Sequence, residues 1–366
     1  MCFLNNLWYN FNDVNRRENI MMKNRNLNID LVKCVAVFSV ISVHFFANAG
    51  LYRNVIVGNN MYIAVVFRSL FMVCVPLFII TTGYLMRKKE LSKKYYFGIK
   101  RVLIEYLLFV ILYLVYNKIY NDGPFTIRYI IKSILSFDVG YSWYVEMYVG
   151  LFLLIPFVNL IYNNLKDKKQ KKMLVLTMMF LTSFQGIINI KYKFIPNWWV
   201  SIYPLTYYFI GCYLSEYKIN LKRFNNILLF IITLGIYGVI NVYFSKGNYF
   251  NFGVYNQWES IFNLLLSVLL FNFIVNLDLS KTLKCVKNGI YKISELSFLI
   301  YLLSAIIDNA LYFHIFKNVN FLSFLGYFKI VPLTFLLSLI FALVVNFIYK
   351  MIDKYVVQWM EKRFIR

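Results

Sequence analysis

Charged residues are scarce in this chain of 366 residues. They make up 15% of the sequence, whereas hydrophobic residues make up 60%. Soluble domains contain about 25% charged and roughly 45–50% apolar residues, so a soluble protein of this length would lack a polar surface. Contact with lipid removes that need. The composition therefore indicates an integral membrane protein without a large soluble domain.

Cysteine is also infrequent. The five cysteines form no Cys-x-x-Cys pair, and most lie in or beside apolar runs. This excludes a disulfide framework and a zinc centre, and we expect small core residues and no metal. Acidic residues number 16 against 39 basic ones, a net charge of +23. No basic stretch alternates with exposed aromatics, so we exclude nucleic acid as a partner.

Long apolar runs dominate what remains. A helix needs about 20 apolar residues to cross a bilayer, and its backbone groups must pair within the segment. The sequence therefore predicts an all-α, polytopic membrane helix bundle of about ten transmembrane helices. The predicted spans are Ile29–Ala49, Ala64–Met86, Val102–Tyr120, Trp143–Leu160, Met173–Ile190, Trp199–Leu214, Ile227–Phe244, Ser260–Leu277, Leu296–Phe316 and Val331–Met351.

Basic residues predict the orientation. Most of the 39 lie in one alternate set of connections and nine lie in the other, which indicates that both termini are cytoplasmic. We expect a cytoplasmic lead over residues 1–25, which lacks a signal-peptide pattern and is either disordered or upstream of a true start at Met21 or Met22. A transmembrane domain over 26–352 and a basic cytoplasmic tail over 353–366 follow.

Ionisable residues inside the spans are the first functional candidates. Each costs roughly 2.5–3.5 kcal/mol on insertion, and the set is Asp30, Lys33, His44, Arg68, Glu105, Glu146 and Asp308. His44 lies about three turns, or about 16 Å, beyond Lys33 on the same helix face. A neutral imidazole can take a proton from a hydroxyl and return it. The alternative is a histidine that only bonds a neighbouring helix.

The other ionisable residues have simpler alternatives. Arg68 and Glu146 are both predicted at the outer level of His44, as partners of its imidazole, as a mutual ion pair, or as ordinary interfacial residues. Asp30 and Lys33 are spaced to pair at i,i+3. Glu105 is spaced to pair with Arg101 at i,i+4, the interpretation that we favour.

Two further groups of side chains have a general and a specific interpretation. The basic loop Arg87–Arg101 serves orientation and lipid headgroups, or else docks a phosphorylated donor. Aromatic residues at the helix ends suit the membrane interface. Within them, Trp143 and Trp198 are candidates for stacking on a sugar.

Five motifs occur in order along the chain. They are Ile29–Ala36 followed by His44, Val75–Leu85, Ser142–Val145 with Tyr148 and Pro156, Tyr207–Gly211, and Ser297–Leu302. Together they resemble the acyltransferase-3 family of membrane O-acyltransferases, and the resemblance covers about residues 26 to 349. The departures from the family pattern are Lys33 for the usual Arg, Thr82 for Ser, Ser304 for His and Ile104 for a second Arg.

This resemblance implies a bacterial cell-membrane enzyme that transfers acetyl, or another acyl group, from cytoplasmic acetyl-CoA to a sugar hydroxyl of a surface or lipid-linked glycan. His44 would be the general base, with Arg68 and Glu146 beside it at the outer acceptor site. The remaining assignments are Lys33, Lys100, Arg101, Thr82 and Gly83 for the donor, and Asp30, Trp143 and Tyr144 for the substrate.

Two other functions compete with the transferase. A polysaccharide transporter or flippase shares the multiple spans and basic inner loops, although no internal repeat with broken helices is visible. A glycan polymerase would need a large external loop, and the longest one here is about Asn121–Ser142.

Overall fold

The computed structural model describes residues 25–189, 192–316 and 322–354, and it is all-helical. Fourteen α-helices are present in that part of the chain. They are α1 Leu27–Asn48, α2 Asn59–Phe71, α3 Cys74–Met86, α4 Lys93–Phe97, α5 Lys100–Asn121, α6 Ile127–Ser136, α7 Trp143–Asn163, α8 Lys168–Thr182, α9 Gln185–Ile188, α10 Tyr203–Glu216, α11 Arg223–Ser245, α12 Ile261–Val275, α13 Lys284–Asp308 and α14 Phe324–Ile352.

The all-α membrane fold is confirmed. Eight helical segments in the described chain are long and apolar enough to span a bilayer. The other two predicted spans coincide with α8 and α10, which have 15 and 14 residues. A 3-10 turn over Asn197–Ile202 runs directly into α10, and together they extend about 33 Å, enough for a hydrocarbon core of about 30 Å. The count of ten and the orientation stay predictions.

Residues 1–24 of the predicted lead and residues 355–366 of the predicted tail lie outside the described residues. Within the bundle, the second predicted span is divided at Met72–Val73 into α2 and α3. Pro76 explains the break, because it has no N–H to donate to the carbonyl of Met72. The predicted external loop Asn121–Ser142 contains the short helix α6, whose apolar residues Ile127 and Leu135 are exposed.

Helix α1 is the central element. It packs against α3, α13 and α14, and α3 packs in turn along α10. Two glycines make the α3–α10 contact close. A Cβ on Gly83 would lie 2.0 Å from the carbonyl oxygen of Tyr208, and one on Gly211 would lie 2.1 Å from that of Ile80. The absence of a side chain at both positions therefore lets the two helix backbones approach closely.

Polar contacts join the predicted cytoplasmic ends of four helices. The Glu216 carboxylate at the end of α10 accepts from Arg87 at 2.6 Å and from Lys171 of α8 at 2.8 Å. The Tyr162 hydroxyl of α7 donates to the same carboxylate at 3.1 Å. These contacts fix the ends of α3, α7, α8 and α10 relative to one another.

Candidate active site

A cavity of about 280 Å³ lies among α1, α3, α7 and α13. Lys33 and His44 both line it, so the two residues predicted to share one face of α1 do so. Most of the other lining side chains are apolar or aromatic. The lining also includes Cys74, Thr82, Trp143, Tyr144, Tyr148, Trp258, Ser297 and Tyr301.

His44 lines this cavity near the end of α1 that is predicted to be external. Its Nδ1 is buried and has no hydrogen-bond partner among the described residues. The ring packs on Tyr141, with 3.5 Å between ring centroids and 32° between ring planes. No described neighbouring helix accepts a hydrogen bond from the imidazole, so the structure does not favour the interpretation of His44 as a helix-bonding residue.

A hydrogen-bonded cluster lies behind the Tyr141 ring. Asn48, one turn beyond His44 on α1, donates from Nδ2 to the Tyr141 hydroxyl at 2.9 Å. That hydroxyl donates to Asp308 Oδ2 at 2.9 Å. Asp308 ends α13 and is 2% exposed. Sequence analysis marked Asp308 as an unusual charge but gave it no role, and it missed Tyr141 and Asn48 entirely.

Two tryptophans line the cavity on its predicted external side. Trp143 begins α7 and stacks on Trp258 at 5.8 Å with 26° between planes. Trp143 is 38% exposed. Tyr144 is buried beside it and lines the cavity. Trp258 comes from the connection before α12, and the sequence indicated only an aromatic residue of the membrane interface there.

Lys33 marks the other end. Among the described residues, the Lys33 ammonium has no ion-pair or hydrogen-bond partner. Lys33 nevertheless lines a largely apolar cavity. Thr82 lines the same end and donates to the carbonyl of Phe78 at 2.9 Å. An unpaired cation facing a cavity is positioned to meet an anionic ligand.

Residues 26–345 match the acyltransferase domain of the acyltransferase-3 family. The chain belongs to this family. The protein is thus a membrane acyltransferase, and the resemblance seen in its motifs is confirmed. The match spans all the helices that build the cavity.

Curated relatives of this acyltransferase include two from Staphylococcus aureus. The first, from strain Mu50, is a probable poly-β-1,6-N-acetyl-D-glucosamine export protein, 24% identical over 80% of this chain and 85% of its own length. The protein of the same name from strain MSSA476 is 23% identical over the same shares. No solved structure matches the acyltransferase.

Other predicted donor residues of the acyltransferase lie outside the cavity lining. Arg101 pairs with Glu105 at 2.7 Å, which confirms the expected i,i+4 contact, and donates to the carbonyl of Glu295. Lys100 contacts Asp353 at 3.5 Å. Both cations are on the predicted cytoplasmic side, with carboxylates already beside them.

Asp30 was expected to pair with Lys33 or to bind substrate. It is instead 4% exposed and pairs with Arg25, with 2.5 Å between Nη2 and Oδ1. Ser294 of α13 donates to the same carboxylate. The i,i+3 pair with Lys33 does not form. Asp30 therefore joins the first turn of α1 to α13.

Arg68 and Glu146 are not brought to His44. Arg68 is 3% exposed and donates to the carbonyl of Asn256 at 3.0 Å and to the Tyr52 hydroxyl at 3.2 Å. Glu146 is exposed and points away from the cavity lining. The expected ion pair between them is absent from the described contacts. Helical position did not predict the direction in which each side chain faces.

Proposed function

We propose that the protein transfers acetyl from acetyl-CoA, entering from the cytoplasm, to a sugar hydroxyl of a cell-surface or lipid-linked polysaccharide, with His44 as general base. One observation carries this proposal. One cavity has Lys33, which is unpaired among the described residues, at one end, and His44 with the two tryptophans at the other. Donor and acceptor can therefore meet inside the protein from opposite sides of the membrane.

The size and shape of the cavity suit the arm of the donor. Lys33 and His44 are about 16 Å apart along α1, and a volume of about 280 Å³ lies at the lower end of ordinary ligand pockets. A slender acyl-pantetheine arm fits such a space, and the nucleotide stays outside. Lys33 would neutralise a phosphate at the entrance, with Lys100 and Arg101 beyond it.

The tryptophans at the outer mouth suit a sugar. The apolar faces of a pyranose ring pack on aromatic rings, and Trp143 with Trp258 offers such a surface at the predicted external side. Tyr144 lies next to it, within the cavity. An acceptor hydroxyl of such a sugar would then lie in the part of the cavity that His44 lines.

The reaction needs one base. The sugar oxygen attacks the thioester carbon, the new C–O bond forms and the C–S bond breaks. His44 takes the hydroxyl proton and passes it to the departing thiolate, which leaves as CoA thiol. Cys74 also lines the cavity, but it makes no recorded contact with His44, so we infer direct transfer without an acyl-enzyme.

Glycan export is the second candidate, because the name of the staphylococcal relatives states it. An exporter has no need of a histidine facing a donor-sized cavity. The two functions make different demands: a transferase consumes acetyl-CoA for each acetyl ester formed, whereas an exporter moves unmodified glycan without it.

The test uses proteoliposomes of the purified full chain, acetyl-CoA labelled in the acetyl group, and envelope glycan from a strain that lacks the protein. We expect label in ester linkage on the glycan with wild type and none with His44→Ala. Glycan movement across the vesicle without acetyl-CoA consumption would instead establish export. His314→Ala is the matched control, since His314 is the other histidine and lies outside the cavity lining.

A further inference from the structure

We propose that Tyr141, locked by Asn48 and Asp308, is the positioning residue of His44 and that Asp308 compensates the charge His44 gains during transfer. This inference rests on the proposed function and adds a supporting unit to its base. The observation behind it is a buried carboxylate, a phenol and an imidazole in contact within one cluster.

The Tyr141 ring fixes the plane of the imidazole. With 3.5 Å between ring centroids the rings are in direct contact, so His44 cannot rotate without moving Tyr141. The described chain offers Nδ1 no hydrogen-bond partner that would hold the ring otherwise. Orientation of this base therefore depends on ring packing, where many enzymes use a hydrogen bond.

Two helices hold the Tyr141 hydroxyl. Asn48 donates to it from α1, and it donates to Asp308 on α13, each at 2.9 Å. A phenol oxygen with one bond given and one received has a single favoured direction. The cluster thus ties the orientation of His44 to α1 and α13, two of the helices that border the cavity.

The backbone of Tyr141 is also anchored. The Tyr301 hydroxyl donates to its carbonyl. The preceding Gly140 has φ of +58°, where a Cβ would lie 3.0 Å from that of Ala305 and 3.1 Å from the Phe109 ring. A side chain at this position would be strained and crowded, so glycine allows the loop before α7 to enter the bundle.

Asp308 is a buried acidic residue, which packing alone does not require. It is 2% exposed, and no cation lies within ion-pair distance of it in the described chain. A buried carboxylate without a cation is costly, and intramembrane acids are functional candidates for that reason. The helix changes to a wide π-turn over Asn309–Ile315 directly after it, a feature common at functional sites.

The transfer reaction creates a cation near Asp308, because His44 becomes protonated. When His44 takes the hydroxyl proton, its ring becomes positive against the Tyr141 face. Asp308, bonded to the other side of the same phenol, then provides the opposing charge. The proton stays on His44 until it passes to the thiolate, and Asp308 neither gains nor loses one. The favourable interaction exists only while the imidazolium exists, so it accelerates the chemical step.

The test measures kcat and KM for acetyl-CoA with the full chain in lipid nanodiscs and envelope glycan from a strain lacking the protein. Tyr141→Phe keeps the ring and loses the hydroxyl, and Asp308→Asn keeps an acceptor and loses the charge. We expect each to lower kcat on the order of tenfold, with KM changed less than about twofold. The double variant should be no slower than the slower single one, because the residues act as one unit.

Controls separate this role from simple damage. Tyr106→Phe removes another buried hydroxyl, bonded to the carbonyl of Ile134 at 3.0 Å and outside the cavity, and should keep full activity. If Asp308→Asn does not fold, Asn48→Leu tests the same hydroxyl from α1 and should also lower kcat alone. Unchanged kcat in the folded variants, a matching rise of KM, or losses that multiply would overturn the inference. An inactive wild type would overturn the proposed function itself.

Discussion

The close contact between α3 and α10 makes Gly83→Ala an informative perturbation. The added methyl carbon would lie 2.0 Å from the carbonyl oxygen of Tyr208, where ordinary contact begins at 3.4 Å. The neighbour is backbone and cannot rotate away, so the helices must separate by more than an ångström. Overpacking of this kind costs about 1–3 kcal/mol, partly offset by about 1 kcal/mol from the higher helix propensity of alanine.

Thermal unfolding of the detergent-purified protein measures this cost. We expect Gly83→Ala to lower the apparent Tm by a few degrees and to weaken acetyl-CoA binding, since the adjacent Thr82 lines the cavity. Gly211→Ala should behave alike, as its Cβ meets the carbonyl of Ile80 at 2.1 Å. Gly150→Ala and Gly235→Ala are matched controls with nothing within 4 Å. A Gly83→Ala protein that melts with or above these controls would refute the packing argument.

Two further substitutions test the ends of the cavity. Lys33→Met should raise KM for acetyl-CoA roughly tenfold with kcat nearly unchanged, whereas Lys33→Arg should retain most of the binding, because the charge meets a phosphate. Initial rates at varied acetyl-CoA concentration measure both effects. Equal effects of the two substitutions would contradict the assignment of Lys33 to the donor. Arg68→Gln should raise KM for the glycan several-fold and leave KM for acetyl-CoA unchanged. The reason is that the hydrogen bond from Arg68 to Asn256 holds the connection that supplies Trp258. A selective loss of acetyl-CoA affinity would contradict this prediction.

The membrane architecture was predictable because a bilayer imposes a length on every span. Each of the eight spanning segments overlaps a predicted apolar run. The division at Met72–Val73 and the 3-10 start of α10 were not predicted. Hydropathy averages over a window, whereas these features depend on single backbone hydrogen bonds around Pro76 and before Tyr203.

The site was predictable only where a residue is unusual in its own segment. His44 and Lys33 stand out in an apolar run, and their spacing places them on one face. Tyr141 is one of 31 tyrosines, and its contact with His44 joins residues about a hundred positions apart, so no local pattern reveals it. Asp308 was conspicuous as a charge, but its role depends on Tyr141.

Arg68 illustrates the limit in another way. Sequence analysis predicts it near the outer membrane surface beside His44, yet its side chain bonds Asn256 and Tyr52 and does not line the cavity. The direction of a side chain on a helix depends on which neighbours pack there. One of these neighbours, Asn256, comes from a connection that is 188 residues later in the chain.

The most direct measurement of the central claim is the O-acetyl content of surface glycan in a strain lacking the gene, complemented with wild type or His44→Ala. Mass spectrometry of the glycan should show acetyl esters restored by wild type and absent with His44→Ala, at equal amounts of protein in the membrane. Wild-type levels of acetyl ester in the His44→Ala strain would contradict the account.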